Sequence, residues 1–315
     1  MIKNDISVTR ALQQSFDWVK YVLFQNFDIG KWFIMGFCAW ISLLGKSGGM
    51  SGANFRNFGN HREHNSNFLH NIWNFVIEHF LLIISITIVI AIITIAVSLI
   101  VQWLSSRGKF MFLDCAVKNK AAVKEPWKQF KRLGNSLFIF RVLFGVASLI
   151  LILFVSFITL VIAWPDITRR IFSISAISSI IVGGLLFIVL LTAITIIRNI
   201  LLDFIIPVMY KKNIAVLEAF SLFKNNLLMG NIKSFIFFYL MKILVAIIIG
   251  ILLVTAFCLT CCLACCLFAI PYLGIVILLP VIMFKRCYSI FFLEQFGDEW
   301  IFINKPSCEI IESTP

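Results

Sequence analysis

The chain alternates long apolar runs with short polar ones. Six runs stand out, at about 30–44, 80–104, 140–164, 175–197, 237–258 and 265–284. The second is the clearest, because it carries no charge and exceeds the ~20 residues a membrane-crossing helix needs. Each run predicts a transmembrane helix. The first is short for a ~30 Å hydrocarbon core, so it must borrow flanking residues or thin the bilayer locally. Trp32, Trp40, Trp103 and Trp164 fall near run ends, where indole side chains favour the membrane interface. Residues 45–71 are rich in Gly, Asn and Ser without periodicity, which predicts a flexible loop.

A second pattern, with helical period, lies between the runs. Over residues 7–26, Val8, Leu12, Phe16, Val19 and Phe24 fall near one face, and Arg10, Gln13, Asp17 and Lys20 elsewhere. Ser7 is placed to cap this helix. Over residues 120–135, Val123, Trp127, Phe130 and Leu133 share a face, with Lys124, Lys128, Lys131 and Arg132 opposite. Pro126 belongs in the first turn of that helix. Over residues 213–226 the spacing recurs as Phe220 and Phe223, followed by Leu227, with Lys224 turned away. These segments are too short and polar to span. They are expected to lie on the membrane surface, apolar side in lipid and basic side among anionic headgroups. The residues expected to do so are Trp127, Phe130, Lys124, Lys128, Lys131, Phe220, Phe223 and Lys224. Topology determination explains the same basic charge, and both readings stand.

Charge placement orients the runs. Residues 107–141 hold nine of the 27 Lys and Arg, with only Asp114 and Glu125 as acids. The N-terminal segment, the connections after runs two and four, and the C-terminal segment together hold 22 of the 27, against 5 on the other side. The positive-inside effect then places both termini in the cytoplasm of a bacterial inner (plasma) membrane. Composition agrees: 61% hydrophobic and 13% charged, with mean hydropathy +0.99, is more apolar surface than a water-soluble domain could hide. The net charge of +12 is accounted for by these connections, so nucleic-acid binding is not expected. The N-terminal residues show no apolar stretch with a small-residue cleavage site, and a cleaved signal peptide is not expected.

The amphipathic segments belong to a repeat. A shift of 93 residues overlays Lys118 on Lys211, Ala122-Val123 on Ala215-Val216, Glu125 on Glu218, Trp127 on Phe220 and Phe130-Lys131 on Phe223-Lys224. More weakly, Ile6, Val8 and Ala11 match Ile214, Val216 and Ala219. The even runs share an exit, apolar residues followed by an acid: MFLD to Asp114, ILLD to Asp203 and FFLE to Glu294. The predicted fold is an all-α, polytopic transmembrane helical bundle of six spans. It forms one membrane domain, residues 1–315, of three hairpins (about 6–104, 115–197 and 213–286), each preceded by a cytoplasmic amphipathic helix. A polar cytoplasmic tail, 294–315, follows.

Candidate chemistry is sparse. Cys258, Cys261, Cys262, Cys265 and Cys266 contain a C-x-x-C spacing in an apolar setting with no basic neighbour. Helix packing is the preferred reading, with redox or metal roles as alternatives. His61, His64, His70 and His79 with Glu63 and Glu78 do not form an H-E-x-x-H motif. Arg141 and Lys242 are expected to snorkel to headgroups. Polar side chains of run four (Ser173, Ser175, Ser178, Ser179, Thr192 and Thr195) are the only visible lining for a solute path. No catalytic constellation, metal site or cofactor motif is found, so an enzyme is not expected. The expected role is a non-enzymatic module that organises membrane or engages lipid or a protein partner; the alternative is a transporter or permease for a small or lipid-like solute.

The run SSRGKFMFLD, then KEPWKQFKRLGNSLF, IPVMY, IPYLG and the closing FLEQFG resemble a family of uncharacterised bacterial six-span membrane proteins. The hairpin-plus-amphipathic-helix plan also resembles, more loosely, the membrane domain attached to some glycerophosphodiester phosphodiesterases. The first resemblance implies the six-span architecture but no activity. The second implies none here, because the catalytic domain it would require is missing.

Overall fold

A computed structural model describes residues 6–25, 27–44, 78–169, 174–260 and 271–303. The loop histidines His61, His64 and His70, the cysteines Cys261, Cys262, Cys265 and Cys266, and Ser173 lie outside them. Every element among the described residues is helical. In chain order they are α1 (Val8–Lys20), α2 (Ile29–Leu43), α3 (Phe80–Lys118), α4 (Lys124–Gln129), α5 (Lys131–Arg169), α6 (Ile174–Ile200), α7 (Ile206–Lys212), α8 (Val216–Leu222), α9 (Ile232–Thr260), α10 (Pro271–Ile277) and α11 (Leu279–Glu294). Three π-helical turns interrupt the order: Tyr21–Gln25 after α1, Leu201–Ile205 between α6 and α7, and Phe223–Leu228 after α8.

Four helices are long and apolar enough to cross a membrane: Phe80–Lys118, Lys131–Ile162, Ile181–Lys212 and Ile232–Thr260. This makes the protein membrane-embedded. Their most apolar windows are almost wholly unburied within the chain. Lipid is the solvent those side chains suit, and between helices in lipid there is no hydrophobic gain to draw them together.

The long helices are anchored at one end, in what is here called the basal core. The division is plainest in α3. Residues 80–100 are mostly exposed, whereas every residue from Ser105 to Val117 is buried. α3 and α6 enter the core by their C-terminal ends. α5 and α9 leave it by their N-terminal ends, burying Leu133 and Leu137 in one case and Phe235 and Phe238 in the other. The core interior is aromatic. Phe204 touches Phe235 at 5.0 Å between centroids, Phe238 at 5.1 Å, Phe223 at 5.4 Å and Phe292 at 6.0 Å, within the range where ring pairs attract.

Three sequence expectations change. First, residues 107–118 and 131–141 are helical continuations of α3 and α5, and the basic connection shrinks to the turn around α4. No proline stands between Leu104 and Lys118, and α3 stops only where Asn119 takes a left-handed conformation, φ 55°. Asn tolerates that region better than other non-Gly residues. Asn213 ends α7 in the same way, at φ 54°.

Second, the last apolar run does not end at Lys285-Arg286, since α11 continues through both to Glu294. Beyond it, the supposed polar tail begins with docked residues. Trp300, Phe302 and Ile303 are buried, because the segment WIFI is apolar inside a polar context.

Third, α2 runs antiparallel to the buried half of α3. Lys31 donates to the Asn119 side chain at 2.6 Å, Cys38 faces Cys115 at 3.8 Å, and Ser105 donates to the Ser42 carbonyl at 3.0 Å. α2 therefore ends where the exposed apolar half of α3 begins. Gly108 permits the approach, since a Cβ there would lie 2.8 Å from the backbone of Ile41 and Ser42.

Candidate functional site

The amphipathic helices are built as the sequence suggests at their starts. Ser7 caps α1, its hydroxyl accepting from the Arg10 amide at 3.3 Å. Their apolar faces, however, turn into protein. Val8, Ala11, Ser15 and Val19 are buried on α1, and Val216, Ala219, Phe223 and Leu227 are buried at the same spacing from α8 onward. Pro126, Phe130 and Gly134 are buried in register with Ala219, Phe223 and Leu227. Small residues at Ala11 and Ala219, and Pro126 between them in sequence, allow the helices to sit close on the ends of the long helices.

The eight residues expected on the membrane surface divide accordingly. Phe130 and Phe223 are buried in the core, and Trp127 and Phe220 are half-buried against it. Phe130 lies 6.2 Å from Phe110 and 5.3 Å from Tyr210, and Phe220 lies 5.4 Å from Phe140. Lys124, Lys128, Lys131 and Lys224 are exposed. Periodicity identifies the apolar face; it does not say whether lipid or protein covers it.

The basal core also gathers charge. The acids of the three exits each have a partner on a different part of the chain. Asp114 accepts from Lys118 at 2.7 Å and from the Tyr210 hydroxyl at 2.8 Å. Asp203 pairs with Lys242. Glu294 accepts from the backbone N–H groups of Phe302 and Ile303, each at 2.9 Å. Lys242 thus reaches a carboxylate, and Arg141 donates to the Ser106 hydroxyl at 3.0 Å; both were expected to snorkel to headgroups. A hydropathy scan marks Arg141 and Lys242 as charges near span ends but names no partner for either, so these pairings left no signal in the pattern.

Arg107 is the second missed residue. Its guanidinium lies 4.1 Å from the Trp103 ring centroid and 5.1 Å from that of Trp127, and donates to the Asn135 side chain at 3.1 Å. Trp103 donates to the same Asn135 oxygen at 3.3 Å. Two indoles and one amide therefore line a buried cation, whose Nε has no hydrogen-bond partner among the described residues. Such desolvated cation–π contacts are worth up to ~2 kcal/mol.

A cavity of about 190 Å³ opens beside this network, lined by Ser42, Leu43, Lys109, Phe112, Leu202, Asp203, Ile282, Lys285 and Arg286. The π turn shapes one wall, since the widened helix offers the Leu202 carbonyl, which accepts from Arg286 at 2.5 Å. π turns of this kind recur at functional sites. Lys109 donates to the Ser42 carbonyl at 3.1 Å and the Ser105 hydroxyl at 2.7 Å. Burial lowers the Arg286 pKa, opposed by the nearby Asp203 charge. Burial pushes the adjacent Cys287 thiol up to about 12, which leaves it protonated and unreactive.

Among the described side chains of the fourth run, none turns into a channel. Thr192 and Thr195 are exposed and donate to the carbonyls of Ile188 and Leu191 in their own helix, each at 2.8 Å. Ser178 is also exposed. Among the described residues no cluster of three or more His, Cys, Asp or Glu is arranged to hold a metal.

A family model described as a family of unknown function (DUF7544) matches residues 6–282. No curated protein and no solved structure matches the chain.

Proposed function

The chain belongs to the DUF7544 family of unknown function, and we propose that it is a non-enzymatic, multi-pass membrane module that engages anionic lipid through its basal end. Connectivity supports six crossings. α1 and the segment 298–303 both sit in the basal core, as do the C-terminal ends of α3 and α6. Four crossings are complete helices. The chain passes from α1 to Phe80 and from Thr260 to the segment 298–303, which counts two further crossings, those read from the sequence at about 30–44 and 265–284. The basal end is cytoplasmic in this reading, as the 22 basic residues favour, and the membrane is the bacterial inner membrane. The burial stripe shared by α1, α4–α5 and α8 supports three related hairpins.

The fate of the hydroxyls in the apolar helices carries the reading over transport. Ser85, Thr87, Thr94, Ser98, Ser148, Thr159, Thr192, Thr195 and Thr255 all donate to carbonyls of their own helix. A hydroxyl satisfied this way can face lipid at little cost, whereas a solute path needs polar groups turned inward. Exposed Lys124, Lys128, Lys131 and Lys224 face outward from the core and suit an anionic leaflet.

The test is lipid selectivity of the reconstituted protein, read by spin-labelled lipids in the first shell. Phosphatidylglycerol should be enriched over phosphatidylcholine, and converting the four lysines to Gln should reduce that enrichment. Equal occupancy of the shell by both lipids would remove the reading.

A further inference from the structure

The cavity at the π turn has a charge surplus and a depth that together select a ligand. Lys109, Lys285 and Arg286 line it against one carboxylate, Asp203, and Lys242 already engages that carboxylate. Lys109 is buried and Lys285 exposed, so the positive surface runs from the interior to the opening. The Leu202 carbonyl takes one Arg286 N–H, from Nη1, of the five donors that a guanidinium carries.

Depth narrows the choice. The exposed apolar stretch of α3 ends near Leu104, and Lys109 lies five residues further on, about 7 Å along a helix. The exposed apolar stretch of α6 ends at about residue 197, and Leu202 and Asp203 follow within two turns. The headgroup layer adds roughly 5–7 Å beyond each side of the hydrocarbon core. The cavity therefore sits at the level of lipid phosphates. Arg and Lys together favour a phosphate, which accepts a forked guanidinium and a point charge at once.

We infer that this cavity binds a phosphoryl group, presented by the headgroup of an anionic lipid or as free phosphate. The inference rests on the lipid-engaging reading above and adds a specific, saturable site to it. Lys285 supplies the entry charge, Arg286 the fork and Lys109 the interior charge. Asp203, held by Lys242, sets the position of the π turn.

Native mass spectrometry of the full chain in neutral detergent, titrated with phosphatidylglycerol or inorganic phosphate, tests it. Wild type should take up one phosphatidylglycerol saturably. Lys285→Gln should weaken that binding about tenfold or more, as loss of one charge-assisted contact implies. Arg286→Lys, which keeps the charge and loses the fork, should weaken it too. Lys233→Gln, exposed and outside the cavity, should not. If inorganic phosphate binds with the same variant pattern and phosphatidylglycerol does not, the site holds and its source is free phosphate. Wild-type behaviour of both cavity variants, an equal loss in Lys233→Gln, or no saturable binding of either probe would overturn the inference. First-shell enrichment of anionic lipid would then decide separately whether the broader function survives.

Discussion

At the scale of single residues, Arg107 and Asp203 show how charge is tolerated beside lipid. Arg107 is buried, and its neighbours are two indoles and an amide. Trp127→Ala should uncover the guanidinium and remove apolar contact, costing about 2–3 kcal/mol. Thermal unfolding in detergent should register this as a clear drop in Tm. Lys128→Ala, one residue away and exposed, should leave Tm unchanged. A similar loss in both variants would mean that Trp127 does not cover Arg107. Asp203→Leu should cost about 3 kcal/mol, because it strands Lys242; this is the low end for a broken buried pair, as Lys242 keeps partial exposure. Adding Lys242→Met should recover part of the loss. No recovery in the double variant would show that the two side chains are not coupled.

At the scale of elements, the joint between α2 and α3 fixes the geometry. Gly108 lies against backbone, where no rotamer change can make room. Gly108→Ala should force the helices apart and destabilise the protein by about 1–3 kcal/mol, the usual range for overpacking. The same register places the Cys38 and Cys115 sulfurs 3.8 Å apart, both fully buried. Mild oxidation of the detergent-solubilised protein should therefore yield a Cys38–Cys115 disulfide, detectable as a linked peptide by mass spectrometry. Linkage of Cys115 to any other cysteine would contradict the antiparallel register. A helix with a π turn at its base, such as α6 into α7, is not legible from periodicity, because one extra residue in a turn leaves the apolar pattern almost unchanged.

At the scale of the whole molecule, the start of α1 and the end of α11 close on each other. The Ser7 amide donates to the Gln295 side chain at 2.7 Å, and the Gln295 amide returns a bond to the Ser7 carbonyl at 2.9 Å. Lys212 pairs with Glu299 at 2.7 Å and lies over the Trp300 ring. Ser7 and the segment from Gln295 to Trp300 therefore lie on the same side of the molecule. With six crossings, Phe55→Cys should label only from outside and Lys120→Cys only from the cytoplasm, using a membrane-impermeant maleimide. Cytoplasmic labelling at position 55 would sink the orientation.

The division between sequence and tertiary structure follows from what each property depends on. Helix positions, the four long apolar helices and the Ser7 cap depend on local spacing and composition, so they are legible along the chain. Of the apolar faces read from the sequence, Phe130 and Phe223 are buried while their neighbours Lys131 and Lys224 are exposed. The partner of those faces is not legible, because lipid and a Phe-rich core make the same demand for apolar surface. The basal core, the Arg107 enclosure, the Asp203–Lys242 pair and the cavity at the π turn join residues from 28 to more than 200 positions apart. No periodicity encodes such pairings. Only the three-dimensional meeting of α2, α3, the turn between α6 and α7, and α11 decides that Lys109, Asp203, Lys285 and Arg286 line one cavity.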